Sequence, residues 1–321
     1  MTFPSSSNTV LVTGGAGFIG SHVVDLLVQE GYRVVVVDDL STGRREHVNP
    51  SATFYQIDIT DPALTDVFLK ERPQAVSHHA AQISIAASLR DPLHDARTNV
   101  MGSLNVLEAC RAVEVEKVVF ASSGGAVYGE PDYLPCDEKH PVRPLAPYSA
   151  AKAAVEGYLF TYSQSFGLPS TVLRYSNVYG PRQDPSGEAG VIAIFALAML
   201  EGRQPVIYGS GQQERDFVYV ADVATANVLA LQHGAGGIYN IGSGQGTSVN
   251  RIFSLLRNIL SFDQEAQFAS PRPGEVFKIH LACGLAGQDL GWCPSVSLEE
   301  GLKATADYFL APNRHEKKPL S

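Results

Sequence analysis

The chain has 321 residues, of which 45 % are hydrophobic and 18 % charged, and its formal net charge is -9. Such a composition is typical of a globular protein of about two domains and excludes a disordered or collagen-like chain. The acidic balance also argues against a nucleic-acid-binding protein, which needs a basic surface to neutralise phosphates.

Neither the cysteines nor the apolar runs indicate a metal, a disulfide framework or a membrane. No C-x-x-C pair and no zinc-finger spacing occurs, so we expect reduced thiols and no metal site. Apolar runs such as Gly190–Leu200 are too short to span a bilayer. The first eight residues lack the features of a signal peptide. We therefore expect a soluble, cytoplasmic protein. The four cysteines are Cys110, Cys136, Cys283 and Cys293.

Short apolar strands alternate with amphipathic helices in the first half of the chain. This alternation predicts an α/β fold with a doubly wound parallel sheet of the Rossmann type. The predicted helices are Ser21–Gln29 and Asn99–Val113. The predicted strands are Val10–Thr13, Val34–Val37, Phe54–Ile57, Ala75–His78 and Lys117–Ala121.

The second half is less regular and contains no flexible linker. We predict a Rossmann domain formed by residues 8–180 and 217–242, and a second, smaller α/β domain formed by 181–216 and 243–314. A cleft between them should lie at the carboxyl edge of the sheet. The predicted elements are helices at Tyr148–Gln164, Val191–Glu201, Val249–Leu260 and Leu298–Phe309 and a strand at Thr171–Tyr175.

A glycine-rich loop after the first strand predicts a dinucleotide site. Gly14, Gly17 and Gly20 directly follow a strand and open a helix, where backbone amides and the helix dipole can hold a pyrophosphate. Asp38 ends the next strand and can accept hydrogen bonds from both ribose hydroxyls. Because this carboxylate repels a 2′-phosphate, the sequence favours NAD over NADP.

Two details of this cofactor site stay open. Arg44 and Arg45 keep NADP as an alternative, or they form a solvated basic turn. Asp58 follows another strand and either accepts from the adenine amino group or caps the turn at Asp58–Asp61.

A tyrosine and a lysine are spaced to perform proton transfer. Tyr148 and Lys152 lie one helical turn apart on the same face of a predicted helix. A nearby ammonium, together with an oxidised nicotinamide ring, favours the phenolate and so lowers the tyrosine pKa. Tyr148 can then accept a hydroxyl proton while hydride leaves the same carbon. Ser122 and Ser123, at the end of a predicted strand, supply the hydroxyl donor that this chemistry needs.

Nine motifs, in family order, resemble the extended short-chain dehydrogenase/reductases and within them the UDP-glucose 4-epimerases. The resemblance covers about Val10 to Pro294. The motifs are GGAGFIG (Gly14–Gly20), VDDLSTG (Val37–Gly43), HHAAQ (His78–Gln82), TNVMGSLNVLEA (Thr98–Ala109), SSGGAVYGE (Ser122–Glu130), YSAAK (Tyr148–Lys152), RYSNVYGPRQ (Arg174–Gln183), RDFVYVADV (Arg215–Val223) and RPGEV (Arg272–Val276).

The resemblance implies an NAD-dependent epimerase that interconverts UDP-glucose and UDP-galactose through a 4-keto intermediate. It implies Ser123, Tyr148 and Lys152 as the catalytic residues, with Ser122 as an alternative to Ser123 because the loop lacks a third hydroxyl. It also implies that residues 8–180 and 217–242 bind NAD and that the second domain binds the nucleotide sugar. The implied cofactor-binding residues are Gly14, Gly17, Phe18, Ile19, Gly20, Asp38, Asp58, Ile59, Ala80, Gln82, Asn99, Ser122, Tyr148, Lys152 and Tyr175.

The resemblance also implies a binding site for the UDP-sugar and a mode of assembly. Ser123 and Asn177 match substrate contacts, and Arg215 and Arg272 match two arginines that clamp the diphosphate. Ile279, seven residues after the second arginine, matches a position whose size admits or excludes an N-acetyl group. The family usually forms homodimers, here through the predicted helices at Asn99–Val113 and Tyr148–Gln164.

Several alternatives remain at this stage. A dehydratase is argued against by Gly124-Gly125, which leave no acid or base where that reaction needs one. A UDP-glucuronate 4-epimerase would use Arg182 to hold the carboxylate, and a UDP-N-acetylglucosamine 4-epimerase would depend on Ile279. A non-enzymatic NAD-sensing scaffold is the alternative from another class. We interpret His78-His79 as a structural pair at a strand end.

Overall fold

The computed structural model describes residues 8–185, 190–271 and 276–311. The predicted arginine of the diphosphate clamp, Arg272, lies outside the described residues, as does the end of the predicted second domain after residue 311.

Seven parallel strands form the central sheet, in the order β10-β6-β5-β4-β1-β2-β3. The doubly wound α/β fold is therefore confirmed. The strands in chain order are β1 (Thr9–Thr13), β2 (Arg33–Val37), β3 (Thr53–Tyr55), β4 (Ala75–His78), β5 (Lys117–Ser123), β6 (Ser170–Tyr175), β7 (Asn177–Tyr179), β8 (Val206–Tyr208), β9 (Glu214–Tyr219), β10 (Ile238–Ile241), β11 (Gly246–Ser248) and β12 (Gln267–Ala269).

Helices cover both faces of this sheet and fill the second region. A 3-10 turn (Arg45–His47) and a π-helical turn (Arg97–Met101) accompany them. The α-helices are α1 (Phe18–Gln29), α2 (Leu64–Glu71), α3 (Ile85–Arg90), α4 (Pro92–Ala96), α5 (Gly102–Ala112), α6 (Gly124–Val127), α7 (Pro147–Phe166), α8 (Val191–Leu200), α9 (Val220–Gln232), α10 (Val249–Ile259), α11 (Gly284–Leu290) and α12 (Leu298–Leu310).

The valine run of β2 shows why the sheet is buried on both faces. Val34 and Val36 pack into one apolar cluster with α1 and α9, whereas Val35 and Val37 pack into a second cluster with α2, α5 and α7. A strand whose alternate side chains enter two cores needs apolar residues at every position.

A third apolar cluster supports the second region, which is built on α8, α10 and α12. Its strands form a three-stranded sheet, in the order β11-β9-β7, and a two-stranded sheet of β12 and β8. The predicted domain boundary between residues 216 and 217 falls inside β9, and β9 pairs with β7 and β11. We therefore propose moving that boundary to the start of α9.

One difference from the predicted elements lies before α5. Residues predicted as the start of a regular helix at Asn99 form the π-helical turn Arg97–Met101 instead. Two short helices, α3 and α4, precede it. π-helical turns interrupt α-helices most often at functional sites.

Candidate active site

Two adjoining cavities lie at the carboxyl ends of the central strands. The first, of about 440 Å³, follows the glycine loop, and the second, of about 740 Å³, extends towards α8 and β9. Because both share Tyr148, Ser122 and Tyr175 in their walls, a cofactor in one would meet a substrate in the other there.

The glycine loop fits a closely approaching pyrophosphate. Gly14 has a φ of 69°, and a Cβ there would lie 2.6 Å from the backbone nitrogen of Ala80. A Cβ at Gly20 would lie 2.2 Å from the carbonyl oxygen of Gly14. The loop is thus packed so tightly that only glycine fits, and it presents the N-terminus of α1 to the first cavity.

Asp38 is buried and held in a fixed orientation at the end of β2. Its Oδ2 accepts from the Ala16 amide at 3.0 Å and its Oδ1 from the Leu40 amide at 2.8 Å. Burial raises the pKa of this carboxyl, and the two amide bonds act in the opposite direction. Asp38 lines the first cavity, so the residues present fit a ribose diol.

The structure shows how Asp58 and the two arginines, Arg44 and Arg45, lie relative to the first cavity. Asp58 lines the first cavity, and its Oδ1 also accepts from the Thr60 amide at 2.8 Å, which fits both interpretations of this residue. The Arg45 guanidinium stacks on the Phe54 ring at 4.5 Å, and Arg44 lies 3.7 Å from Glu46. Among the described residues, neither arginine lines the first cavity.

Tyr148 and Lys152 meet at the wall between the cavities. The Lys152 ammonium donates to the carbonyl of Ala121 at 2.7 Å and lies 6.0 Å from the centre of the Tyr148 ring. Burial lowers the pKa of Lys152 to about 8, opposed by the charges of Glu156 and Asp95. Burial raises the pKa of Tyr148 to about 12 and thereby outweighs the hydrogen bond with Ser123, which lowers it.

The geometry distinguishes the two candidate serines. The Ser122 hydroxyl donates to Oε1 of Glu156 at 2.6 Å, and Glu156 in turn pairs with both ends of the buried Arg174 guanidinium. Ser123 instead hydrogen-bonds with the Tyr148 phenol and lines the second cavity. Ser123 is therefore the hydroxyl placed beside Tyr148, and we propose it as the catalytic serine.

Asn99 lies behind the wall of the first cavity, and its predicted contact with the cofactor stays a prediction. Fourteen of the fifteen predicted cofactor-binding residues line the first cavity, and Asn99 is not among them. Its side-chain amide is fully hydrogen-bonded within the protein. Oδ1 accepts from the Gln82 amide at 2.8 Å, and Nδ2 donates to the Gln82 carbonyl and to Asp95. Asn99 thus holds the Gln82 segment from behind the cavity wall.

The substrate-binding predictions divide in the same way. Ser123, Asn177 and Arg215 line the second cavity. Ile279 does not, because its side chain is 3 % exposed and packs with Val127, Tyr128, Cys136 and Leu281. Ile279 therefore lies outside the cavity wall in this geometry, and its role as a gate stays a prediction. The amide of Ile279 donates to the carbonyl of Glu214, and this register places the side chain in the core.

Sequence reasoning missed most of the outer wall of the second cavity. A short β strand flanked by Pro205 and Gly209 was the available signal, since proline and glycine punctuate short strands. The missed residues of this wall include Arg203, Gln204, Val206, Tyr208, Gln213 and Phe217.

Two further predictions concern the histidine pair and Arg182. Both ring nitrogens of His78 are hydrogen-bonded, to the hydroxyls of Thr13 and Ser103 at 2.6 and 2.9 Å, as in a structural histidine. Arg182 pairs with Asp25 at 2.6 Å and lines neither cavity among the described residues.

Within the ranges that the model describes, no helix is long and apolar enough to cross a membrane.

Comparison with known proteins links this geometry to one family. Residues 10–242 match the model of the NAD dependent epimerase/dehydratase family. The chain is 48 % identical to a putative UDP-glucose 4-epimerase of Methanocaldococcus jannaschii over 305 residues, which are 95 % of this chain and 99 % of the relative. It is 43 % identical to the UDP-glucose 4-epimerase of Mycolicibacterium smegmatis, with 93 % and 97 % of the two chains covered.

Solved structures agree with these relatives. The UDP-glucose 4-epimerase of Thermotoga maritima, solved with UDP-glucose, superposes with a TM-score of 0.92 at 50 % identity, covering 94 % of this chain and 98 % of the other. The UDP-glucose 4-epimerase of Thermus thermophilus, solved in complex with NAD, gives 0.90 at 47 % identity with the same coverage.

Proposed function

The chain belongs to the NAD-dependent epimerase/dehydratase family, and we propose that it interconverts UDP-glucose and UDP-galactose by epimerisation at C4. The observation that carries this proposal is the placement of Tyr148 in the wall shared by the two cavities, with Lys152 lining the first cavity and Ser123 lining the second. The two relatives above are named UDP-glucose 4-epimerases, and the superposed structures carry UDP-glucose and NAD.

When bound, NAD would accept the hydride that leaves C4 and return a hydride to the same carbon. The glycine loop, Asp38 and Gln82 bind and orient this cofactor. Since hydride is returned in each turnover, the protein needs no added NAD and should retain the molecule through purification.

Tyr148 moves the proton that accompanies the hydride. Its phenolic oxygen accepts the proton of the C4 hydroxyl and later returns it, while Ser123 shares a hydrogen bond with the same oxygen. Burial raises the pKa of the phenol to about 12, so its deprotonation depends on the positive charges of Lys152 and of the oxidised nicotinamide.

The sugar has to present both faces of C4 while its diphosphate stays fixed. Arg215 in the wall of the second cavity can bind diphosphate oxygens with two parallel hydrogen bonds, and Asn177 lines the same cavity. Arg272 is proposed as the second arginine from the resemblance alone. The 4-keto sugar can then rotate about this anchor and accept hydride on the opposite face.

The alternative reactions are less well supported. Gly124 and Gly125 carry no titratable side chain, whereas a dehydratase would need an acid and a base at this position. Arg182 pairs with Asp25 away from both cavities, which weakens the UDP-glucuronate alternative.

NMR of the purified protein with UDP-galactose, without added NAD, tests the proposal. We expect UDP-glucose to appear, which requires both epimerisation and retained cofactor. If the protein converts UDP-glucuronate but not UDP-galactose, it is a UDP-glucuronate 4-epimerase instead. If it converts neither sugar even with NAD added, the proposal is overturned.

We also propose that the protein forms homodimers in the cytoplasm, where nucleotide sugars and NAD are available. Leu89, Leu93, Met101 and Phe160 are 59–77 % exposed on α3, α4, the π-helical turn and α7, and these elements pack together. Large apolar side chains exposed on neighbouring elements are typical of an interface. Light scattering should show a dimer for the wild type and a monomer for Phe160→Glu. Cell fractionation tests the cytoplasmic location.

A further inference from the structure

Asp95 is a buried carboxylate that neither the sequence motifs nor the proposed mechanism uses. It lies on α4 with 1 % of its surface exposed. Its Oδ1 accepts from Nε2 of Gln82 at 2.8 Å and from Nδ2 of Asn99 at 2.9 Å. Its Oδ2 is buried and has no hydrogen-bond partner within the described part of the chain. Buried carboxylate oxygens are rarely left in this state, so it calls for a functional reason.

The charge of Asp95 acts on the reacting pair. Two carboxylates, Glu156 and Asp95, favour the protonated form of Lys152. Glu156 is largely neutralised, because both of its oxygens are bound by Arg174. Asp95 forms no ion pair with another described residue, so its negative charge is the one left to balance the buried ammonium.

The groups around Asp95 support this assignment. The elements packed against α4 are α3, α7 and the π-helical turn. The charged groups that act on Asp95 are His94 on its own helix and Lys152 on α7, while Tyr148 on α7 experiences its charge. The remaining charged residues of these neighbours, Arg90 on α3 and Arg97 on the turn, are exposed to solvent.

We propose that Asp95 is a positioning residue for the reaction: its Oδ1 holds Gln82 against the cofactor cavity, and its charge balances Lys152 beside Tyr148. This inference rests on the proposed function for its catalytic consequence. Its effect on cofactor retention depends only on the Gln82 contact.

Two substitutions separate the contact from the charge. Asp95→Asn keeps an oxygen that can accept from Gln82 and Asn99, and it removes the negative charge. Its new amide nitrogen can take the place of Oδ2 without opposing a donor, because no donor contacts Oδ2. Asp95→Ala removes both. Asp91→Asn is the matched control, since Asp91 lies one residue before α4, is exposed, and caps that helix through a single acceptor oxygen.

NAD content per protomer, measured after denaturation, tests the contact. We expect wild type, Asp91→Asn and Asp95→Asn to retain similar amounts, and Asp95→Ala to lose most of its NAD. Full retention by Asp95→Ala would overturn this part of the inference.

The pH profile of kcat tests the charge. The negative charge of Asp95 raises the pKa of both Tyr148 and Lys152, so its removal lowers both. Activity needs a deprotonated tyrosine and a protonated lysine, so both limbs of the profile should move to lower pH in Asp95→Asn, by on the order of one unit. A purely structural role would reduce the rate without moving the limbs, and a profile that superposes on that of Asp91→Asn would overturn the assignment.

Failure of the proposed function would be recognised separately. If wild type converts neither sugar, the function is wrong, and the inference then stands or falls on whether Asp95→Ala retains less NAD than Asp95→Asn.

Discussion

The two halves of the site are built differently. The residues proposed to bind NAD lie where β1, β2, β4, β5 and β6 end, so the order of one parallel sheet brings them together. The residues that line only the second cavity come mainly from α8, from short strands of the two small sheets, and from the segments between them. A repeating topology therefore positions the cofactor half, whereas individual packing contacts position the substrate half.

Tyr148 lies where the halves meet, and its substitution should have the largest effect. Tyr148→Phe removes the hydroxyl that carries the proton, and we expect kcat to fall about 10³-fold, or about 4 kcal/mol. NAD content should stay the same because the ring still fills the wall. Tyr158→Phe, on the same helix but 41 % exposed, is the control. A Tyr148→Phe variant within tenfold of wild type would remove Tyr148 from the mechanism.

The glycine loop of the cofactor half should not tolerate replacement of Gly20 by alanine. In Gly20→Ala the new Cβ meets the Gly14 carbonyl oxygen at 2.2 Å, and because this is backbone it cannot rotate away. We expect unfolding free energy to fall by about 3 kcal/mol and NAD to be lost.

The matched substitution is Gly157→Ala on α7, where nothing lies within 4 Å of the new Cβ. Here alanine should stabilise the helix by about 0.5–1 kcal/mol. Urea denaturation of both variants checks the pair, and equal effects would contradict the tight fit of the loop.

The same contrast explains what the sequence could predict. Gly14, Asp38 and Tyr148 were found because their motifs adjoin strands whose ends meet at one sheet edge. The predicted gate role of Ile279 rests on a register counted from Arg272, whereas the hydrogen bond between the Ile279 amide and the Glu214 carbonyl sets where its side chain lies. A motif identifies Asn99 but not the direction of its side chain, which here is hydrogen-bonded to Gln82 and Asp95. Asp95 carries no spacing signal, since its burial arises only when α4 packs on α7.

Arg215 should separate the two halves in a kinetic experiment. Arg215→Ala removes charge-assisted hydrogen bonds to the diphosphate, so we expect KM for UDP-galactose to rise about 30-fold, or about 2 kcal/mol. NAD content should be unaffected because Arg215 lines only the second cavity. Arg251→Ala, whose arginine is exposed and paired with Glu299, is the control. Loss of NAD from Arg215→Ala would show that the halves are coupled more strongly than their geometry indicates.

The smallest effect concerns Ile279. Ile279→Val removes one methylene from the cluster with Tyr128 and Leu281, which should cost about 1 kcal/mol of unfolding free energy. Ile207→Val, at another buried isoleucine of the second region, should cost a similar amount. Since Ile279 lies outside the wall of the second cavity, neither change should alter the ratio of kcat/KM values for UDP-galactose and UDP-N-acetylgalactosamine. A ratio that moves in Ile279→Val alone would restore the residue as a gate and would mean that substrate binding rearranges the segment after Arg272. An unchanged ratio in both variants would mean that the side chains facing the second cavity select the sugar. In the substrate half, the packing of a residue would then identify its function better than its spacing from a motif does.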